Sequence, residues 1–187
     1  MRRLPLASGA PGGAINKILA VGRNYAEHAA EMQAPAEPVI FSKPPTALRM
    51  PGEPVRLPRD KGAVHFEAEL VVWLAGGGTA LTVEASAQLP GAVGLGLDLT
   101  LRDVQAEAKQ AGRPWTLSKG FDGALPLGRF VEVTRLGPIG DLAFALEVNG
   151  APRQRGEASD MLLSVPEVLA YISGWISLET GALVLTA

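Results

Sequence analysis

The chain has 187 residues, of which 47% are hydrophobic and 19% charged, and its formal net charge is −2. This length suits one domain with a hydrophobic core, and the composition excludes a disordered chain. The small net charge gives no electrostatic reason to bind nucleic acid or an anionic membrane, and the lack of cysteine excludes disulfides, thiol nucleophiles and cysteine-ligated zinc.

The chain has 22 glycines and 15 prolines, which indicates many turns and short strands rather than a helical bundle. Residues 1–14 show no hydrophobic period and predict a flexible N-terminal arm. The longest uncharged stretch near the middle, 70–83, is shorter than the roughly 20 residues that a membrane-spanning helix needs. We therefore expect a cytoplasmic protein without a membrane partner.

The first half of the chain predicts strands around one short helix. Residues 15–21 form an apolar strand, and Asn24 followed by Glu27 fits a capping box that begins a helix from Tyr25 to about Gln33. The prolines of 39–58 allow only edge strands and turns there. An alternating strand at 65–74, a short helix at 82–87 and a buried strand at 92–101 complete this half.

The second half begins with a helix at 102–110 that ends at Gly112. Strands are predicted near Leu117 and over 130–134 and 142–148, and Asn149-Gly150 is a strong hairpin signal. A helix at 165–173 and a strand at 182–186 follow. No repeat or linker interrupts the pattern, so residues 15–187 are predicted to form a single, strand-rich α+β domain.

Glu67 and Glu69 lie two residues apart in the predicted strand, so their carboxylates share one face with Cα atoms roughly 6.6 Å apart. One interpretation is a solvated strand face. The other is a site for a hard cation such as Mg²⁺, because the same face continues with the apolar Val71 and Trp73. Asp98 interrupts an uncharged run and is the natural third carboxylate, although it could instead sit in a turn or cap a helix.

His28 and Glu31 are three residues apart on the predicted first helix and therefore neighbours on its surface. A carboxylate beside an imidazole suits a base that activates water, but a plain surface pair fits the same spacing. His65 is a second candidate base or simply a polar neighbour of the glutamates. Residues 91–96 lack the spacing of a dinucleotide or phosphate loop and indicate close backbone packing in a strand.

Several segments resemble, in order, the fumarylacetoacetate hydrolase family, above all its short acylpyruvate hydrolase and oxaloacetate decarboxylase members. They are GRNYAEHAAE (22–31), PVIFSKP (38–44), HFEAEL (65–70), GLDLTLRDVQ (96–105), PWTLSKGFD (114–122), VNG with RQ (148–154) and LETG (178–181). The resemblance runs from about Ile18 to Thr186. It implies a strand-rich α+β roll with a short N-terminal lid helix, a small keto-acid substrate and a homodimer.

The resemblance also implies roles for individual residues. Glu67, Glu69 and Asp98 would bind Mg²⁺ or Mn²⁺. His28 with Glu31 would activate water, and Lys119 would balance charge on the substrate. The residues implied on the substrate side are Arg102, Gln105, Tyr25 and Lys43.

The activity implied is Mg²⁺-dependent hydrolysis of a C–C bond in an acylpyruvate such as fumarylpyruvate or acetylpyruvate. Oxaloacetate decarboxylation and keto-acid isomerisation on the same site are alternatives, as is a catalytically silent metal-binding subunit. The family continues beyond its last strand with a further segment that this sequence lacks after Gly181. We therefore expect a C-terminally truncated domain whose last strand, 182–186, has an unpaired edge.

Overall fold

The computed structural model describes residues 2–25 and 38–186. Its main element is a six-stranded sheet with the strand order β4-β3-β12-β6-β7-β9. Its strands are β3 (Lys17–Gly22), β4 (Val39–Ser42), β6 (Val64–Leu74), β7 (Pro90–Leu101), β9 (Val131–Glu132) and β12 (Ala182–Leu185). The fold is therefore α+β and rich in strands, as the sequence predicts.

Three two-stranded sheets accompany the main sheet within the described ranges. They pair β1 (Arg3–Pro5) with β2 (Pro11–Ala14), β5 (Leu48–Arg49) with β8 (Leu125–Pro126), and β10 (Ala143–Val148) with β11 (Ala151–Glu157). The α-helices in this part of the chain are α1 (Val83–Ser86), α2 (Arg102–Gln110), α3 (Thr116–Lys119) and α4 (Val165–Ser173). Short 3₁₀ turns occur at Pro45–Ala47, Val133–Arg135, Ile139–Asp141 and Ala158–Asp160.

Hydrophobic side chains cover both faces of the six-stranded sheet. On one face, Val72 and Val184 belong to the same cluster as Leu169 and Ile172 of α4. A second cluster includes Val71, Leu183, Leu185, Leu125 and Phe130. Because both faces are covered, β12 is a continuous apolar run instead of an alternating one.

The glycines of β7 allow close packing, as the sequence predicts for 91–96. A Cβ atom at Gly94 would lie 2.7 Å from the ring of Phe130, which is fully buried. A Cβ atom at Gly96 would lie 2.9 Å from Cγ2 of Val71. Larger residues at these positions would separate β7 from the cluster beneath it.

Four sequence-based expectations differ from the structure or fall outside it. Arg3–Ala14 is a hairpin with Leu4 buried, not a flexible arm. Leu117 lies in the helix α3 and not in the predicted strand. The helix was missed because four residues are too few to show a helical period. The strand predicted over 130–134 shortens to β9 and is followed by a 3₁₀ turn. The predicted lid helix falls largely on residues 26–37, outside the described residues.

The expectation that the last strand has an unpaired edge is wrong. β12 runs parallel to β3 on one side and antiparallel to β6 on the other. It therefore lies inside the six-stranded sheet, where its backbone donors and acceptors have neighbouring strands. Association through this strand, which an open edge would favour, has no structural basis.

Candidate active site

The carboxylates of Glu67, Glu69 and Asp98 converge where β6 and β7 run side by side. Glu67 is the register partner of Asp98, and Glu69 follows two residues along β6 on the same face. One oxygen from each side chain lies within 4.8 Å of the others. Glu69 and Asp98 are each 1% exposed, so a solvated face is wrong for Glu69, and Asp98 lies within β7 rather than in a turn or helix cap.

Lys119 joins two of these carboxylates. α3 places its Nζ 2.8 Å from Oε2 of Glu67 and 2.6 Å from Oδ2 of Asp98. Burial opposes a charge on Lys119, but Asp98 and Glu67 outweigh that effect and raise its pKa. Burial likewise opposes the charge on Glu67, yet Lys119 and Arg102 lower the pKa of this carboxyl. Both groups are therefore held in their charged forms.

Lys43 also contacts this carboxylate cluster. Its Nζ lies 2.7 Å from Oδ1 of Asp98 and donates to the backbone carbonyls of Lys119 and Ala124. Burial lowers the pKa of Lys43, and the neighbouring Asp98 partly opposes this shift. The Lys43 side chain is fully buried and is not among the cavity-lining residues, so this geometry favours a supporting role over substrate contact.

A cavity of about 370 Å³ opens beside the carboxylates. Five residues that the sequence assigns to the site line it, namely Tyr25, Glu67, Arg102, Gln105 and Lys119. Arg102 connects the wall to the carboxylates, because its guanidinium lies 2.6 Å from Oε1 of Glu67 and donates to Oε1 of Gln105 at 2.8 Å. Burial raises the pKa of Tyr25 to about 12, so its hydroxyl stays protonated.

Several other residues line this cavity without having been predicted from the sequence, among them Arg23, Phe41, Lys109, Trp115, Phe144 and Gln154. Most of them lie inside or next to the segments that carry the family resemblance, which was the available signal. His65 is exposed and is not a lining residue. His28 and Glu31 lie outside the described residues, so their role as the water-activating pair stays a prediction.

The capping box predicted at Asn24 involves Glu27, which lies outside the described residues, and the bonds of Asn24 within the described ranges are long-range. The Asn24 carboxamide donates to the carbonyls of Leu163 and Thr186 at 3.0 Å each, and its oxygen accepts from the Leu163 N–H at 2.9 Å. The side chain is thereby committed to the chain segments beside α4 and β12. Long-range bonds of this kind leave no local sequence pattern.

The donor set fits a hard divalent cation. Three carboxylates bring oxygen ligands, which Mg²⁺ and Mn²⁺ prefer, and two of the three are almost fully buried. Buried carboxylates in such proximity repel one another unless positive charge lies among them. Lys119 and Lys43 supply part of that charge at Asp98, and a bound cation would supply more.

Residues 17–186 match the fumarylacetoacetate (FAA) hydrolase C-terminal family. The chain belongs to the fumarylacetoacetate hydrolase family. Within the family it is 40% identical over 175 residues to the Escherichia coli oxaloacetate tautomerase YcgM, covering 92% of this chain and 80% of that protein. It is 42% identical over 171 residues to the bovine mitochondrial oxaloacetate tautomerase FAHD1, covering 90% of this chain and 77% of the relative.

Solved structures of the family share the fold. A fumarylpyruvate hydrolase from Pseudomonas aeruginosa, in complex with Mn²⁺ and pyruvate, superposes with a TM-score of 0.90 at 33% identity. The match covers 99% of this chain and 82% of that chain. Family members thus include a hydrolase and tautomerases. Among the described residues, none of the helices has the length and hydrophobicity needed to cross a bilayer.

Proposed function

We propose that this family member is a divalent-metal-dependent enzyme that stabilises the enolate of a short, anionic 2-keto acid. The observation that carries the proposal is the convergence of Glu67, Glu69 and Asp98 beside a cavity that Glu67 and Lys119 line. A Mg²⁺ or Mn²⁺ ion held by these carboxylates supplies Lewis-acid polarisation of substrate oxygens when bound. The Mn²⁺ in the P. aeruginosa fumarylpyruvate hydrolase supports this choice of cation.

Lys119 has the charge and position to balance negative charge that develops on the substrate. Its raised pKa keeps the ammonium protonated, and its bonds to Glu67 and Asp98 fix its position before the substrate arrives. A fixed cation at the reacting oxygen lowers the barrier because no reorganisation is needed as the charge forms. Arg102, held between Glu67 and Gln105, has a similar preorganised charge on the cavity wall.

The cavity wall favours a substrate with more than one negative charge. Besides Lys119 and Arg102, the lining includes Arg23 and Lys109. Burial, and then the positive charges of Arg23, Arg102 and Lys119, lower the pKa of Lys109. An anionic ligand would reduce the repulsion between these positive charges. A keto acid with a second carboxylate therefore fits this wall better than one with a neutral tail.

Among reactions of this class, we place keto–enol tautomerisation of oxaloacetate first. The relatives named as oxaloacetate tautomerases are 40–42% identical to this chain, against 33% for the fumarylpyruvate hydrolase. Tautomerisation moves one proton from the enol oxygen to carbon and needs no attacking water. The described residues supply charge stabilisation for the enolate, and His28 with Glu31 is the proposed proton carrier.

Hydrolysis of an acylpyruvate, the activity implied by the sequence, is the second candidate. The structural match to a fumarylpyruvate hydrolase over 99% of this chain favours it. In this reaction His28, oriented by Glu31, would take a proton from the water that attacks the distal carbonyl. The pyruvate enolate that leaves would carry the same charge that Lys119 is placed to balance.

A substrate panel with and without Mg²⁺ or Mn²⁺ tests the proposal. It follows loss of the oxaloacetate enol, oxaloacetate decarboxylation, and hydrolysis of fumarylpyruvate and acetylpyruvate. We expect metal-dependent turnover, fastest for the enol of oxaloacetate, and its abolition by a chelator. Metal binding without turnover of any substrate would instead support the silent metal-binding subunit and contradict the proposed activity.

We also propose a homodimer, on the strength of the family resemblance, and a location in the cytoplasm, as expected from the sequence. Light scattering at several protein concentrations tests the assembly, with twice the chain mass expected. A mass equal to one chain across that range would contradict the dimer. Cell fractionation with tagged protein tests the location, which differs from that of the mitochondrial bovine relative.

A further inference from the structure

The carboxamide of Gln154 hydrogen-bonds to both the backbone N–H and the backbone carbonyl of Ala68 in β6. The Ala68 N–H donates to Oε1 of Gln154 at 2.7 Å, and Nε2 of Gln154 donates to the Ala68 carbonyl at 2.8 Å. Ala68 stands between Glu67 and Glu69, two of the proposed metal ligands. A side-chain amide here makes the paired contacts that a neighbouring strand would otherwise make.

The strand pairing of β6 explains why the backbone groups of Ala68 are available to a side chain. One edge of β6 pairs with β7 along its whole length, whereas β12 pairs with the other edge only over Val71–Trp73. Just beyond that pairing, Oγ1 of Thr186 donates to the Leu70 carbonyl. Ala68 lies two residues before Leu70, so its N–H and C=O point to the same edge, past the end of β12.

Gln154 also joins two separate parts of the fold. It belongs to β11, and the β10–β11 hairpin is not part of the six-stranded sheet. Gln154 and Phe144, on opposite strands of the hairpin, both line the cavity. The bonds to Ala68 therefore hold this cavity wall against the strand that carries two of the carboxylates.

We propose that Gln154 is a positioning residue for the metal site. This inference rests on the proposed function, because it assumes that Glu67 and Glu69 bind a cation. A rotation of the backbone at Ala68 would swing both carboxylates, and Gln154 resists it through two hydrogen bonds to that residue. Partners that orient metal ligands without touching the ion commonly change affinity by about 10–100-fold when removed.

The test compares Gln154→Met, which keeps the length of the side chain but makes neither bond, with two controls. Arg153→Met alters the exposed neighbour on the same strand, and Val168→Ala destabilises the apolar core at α4. Two quantities are measured well below the melting temperature of every variant. They are amide hydrogen exchange at Ala68 in metal-free protein and Mn²⁺ affinity by calorimetry.

We expect Gln154→Met to accelerate exchange at Ala68 and to weaken Mn²⁺ binding by about tenfold or more. Arg153→Met and Val168→Ala should keep the native Mn²⁺ affinity, even where Val168→Ala lowers the melting temperature. Native affinity in Gln154→Met, or an equal loss in Val168→Ala, would overturn the inference while leaving the metal site intact. Failure of the native chain itself to bind Mn²⁺ would overturn the metal site and, with it, this role of Gln154.

Discussion

Lys43 and Asp98 form a buried ion pair, with 2.7 Å between Nζ and Oδ1 and side-chain exposures of 0% and 1%. A pair removed from water in this way loses hydration on both partners, so loss of either charge is costly to the other. Because Asp98 is also a proposed metal ligand, the pair links the stability of the core to occupation of the site.

Replacement of Lys43 by Met should lower the free energy of unfolding of the metal-free protein by at most about 3–5 kcal/mol, because Asp98 loses one buried partner and keeps Lys119. Saturating Mg²⁺ should stabilise this variant more than it stabilises the native chain, since the cation replaces the missing positive charge. Urea unfolding with and without Mg²⁺ measures both effects.

Lys17→Met is the matched control, because Lys17 pairs with the exposed Glu179 at 3.6 Å. The free energy of unfolding of this variant should fall by no more than about 1 kcal/mol. If Mg²⁺ stabilised Lys43→Met and native protein equally, the proposed link between this pair and the metal site would be contradicted.

Gly94→Ala should destabilise the protein by about 1–3 kcal/mol, because the new Cβ would lie 2.7 Å from the buried Phe130 ring. Gly137→Ala is the control, since a Cβ there would meet nothing within 4 Å. Denaturant unfolding of the two variants gives the comparison. Equal stabilities would show that β7 and Phe130 separate without cost.

The carboxylate cluster was predictable because its members follow local rules. Glu67 and Glu69 lie two residues apart and therefore on one face of a strand, and Asp98 interrupts an uncharged run. Each of these two signals is visible within a segment of about ten residues. The partner of Asp98 was not predictable in the same way. Lys43 reaches it from a proline-rich segment, and no pattern in the sequence relates the two positions.

The position of β12 shows a similar limit. Its apolar run predicts a strand correctly, but the order of strands in a sheet depends on contacts between distant segments. The central place of β12, between β3 and β6, therefore could not be read from the sequence. The hairpin at Arg3–Ala14 was missed because its strands are short and rich in glycine and proline, which leaves no hydrophobic period.

Lys109→Met should raise KM for substrates that carry a second carboxylate. We expect KM for fumarylpyruvate to rise about two- to fivefold, the range of an exposed charge pair worth up to about 1 kcal/mol, with little change for acetylpyruvate. Lys61→Met, at an exposed position away from the cavity, serves as the control. Equal increases in KM for both substrates would contradict a role in recognising charge.

His28→Ala should lower kcat for acylpyruvate hydrolysis by about 10²–10⁴, the usual cost of losing a general base, and leave Mn²⁺ binding unchanged. His65→Ala is the matched control, because His65 is exposed and does not line the cavity. The pH dependence of kcat is recorded for both. A pH profile that His28→Ala leaves unaltered would remove His28 from the mechanism.

Glu67, Glu69 and Asp98 are proposed to bind one divalent cation, and calorimetric titration with Mn²⁺ measures this binding. We expect one site in the native chain, and a loss of affinity in Glu69→Gln that exceeds the roughly 10–100-fold typical of losing an outer partner. Glu84→Gln, at an exposed position on α1, should bind like the native chain. No binding by the native chain, or native affinity in Glu69→Gln, would contradict a metal site at these carboxylates.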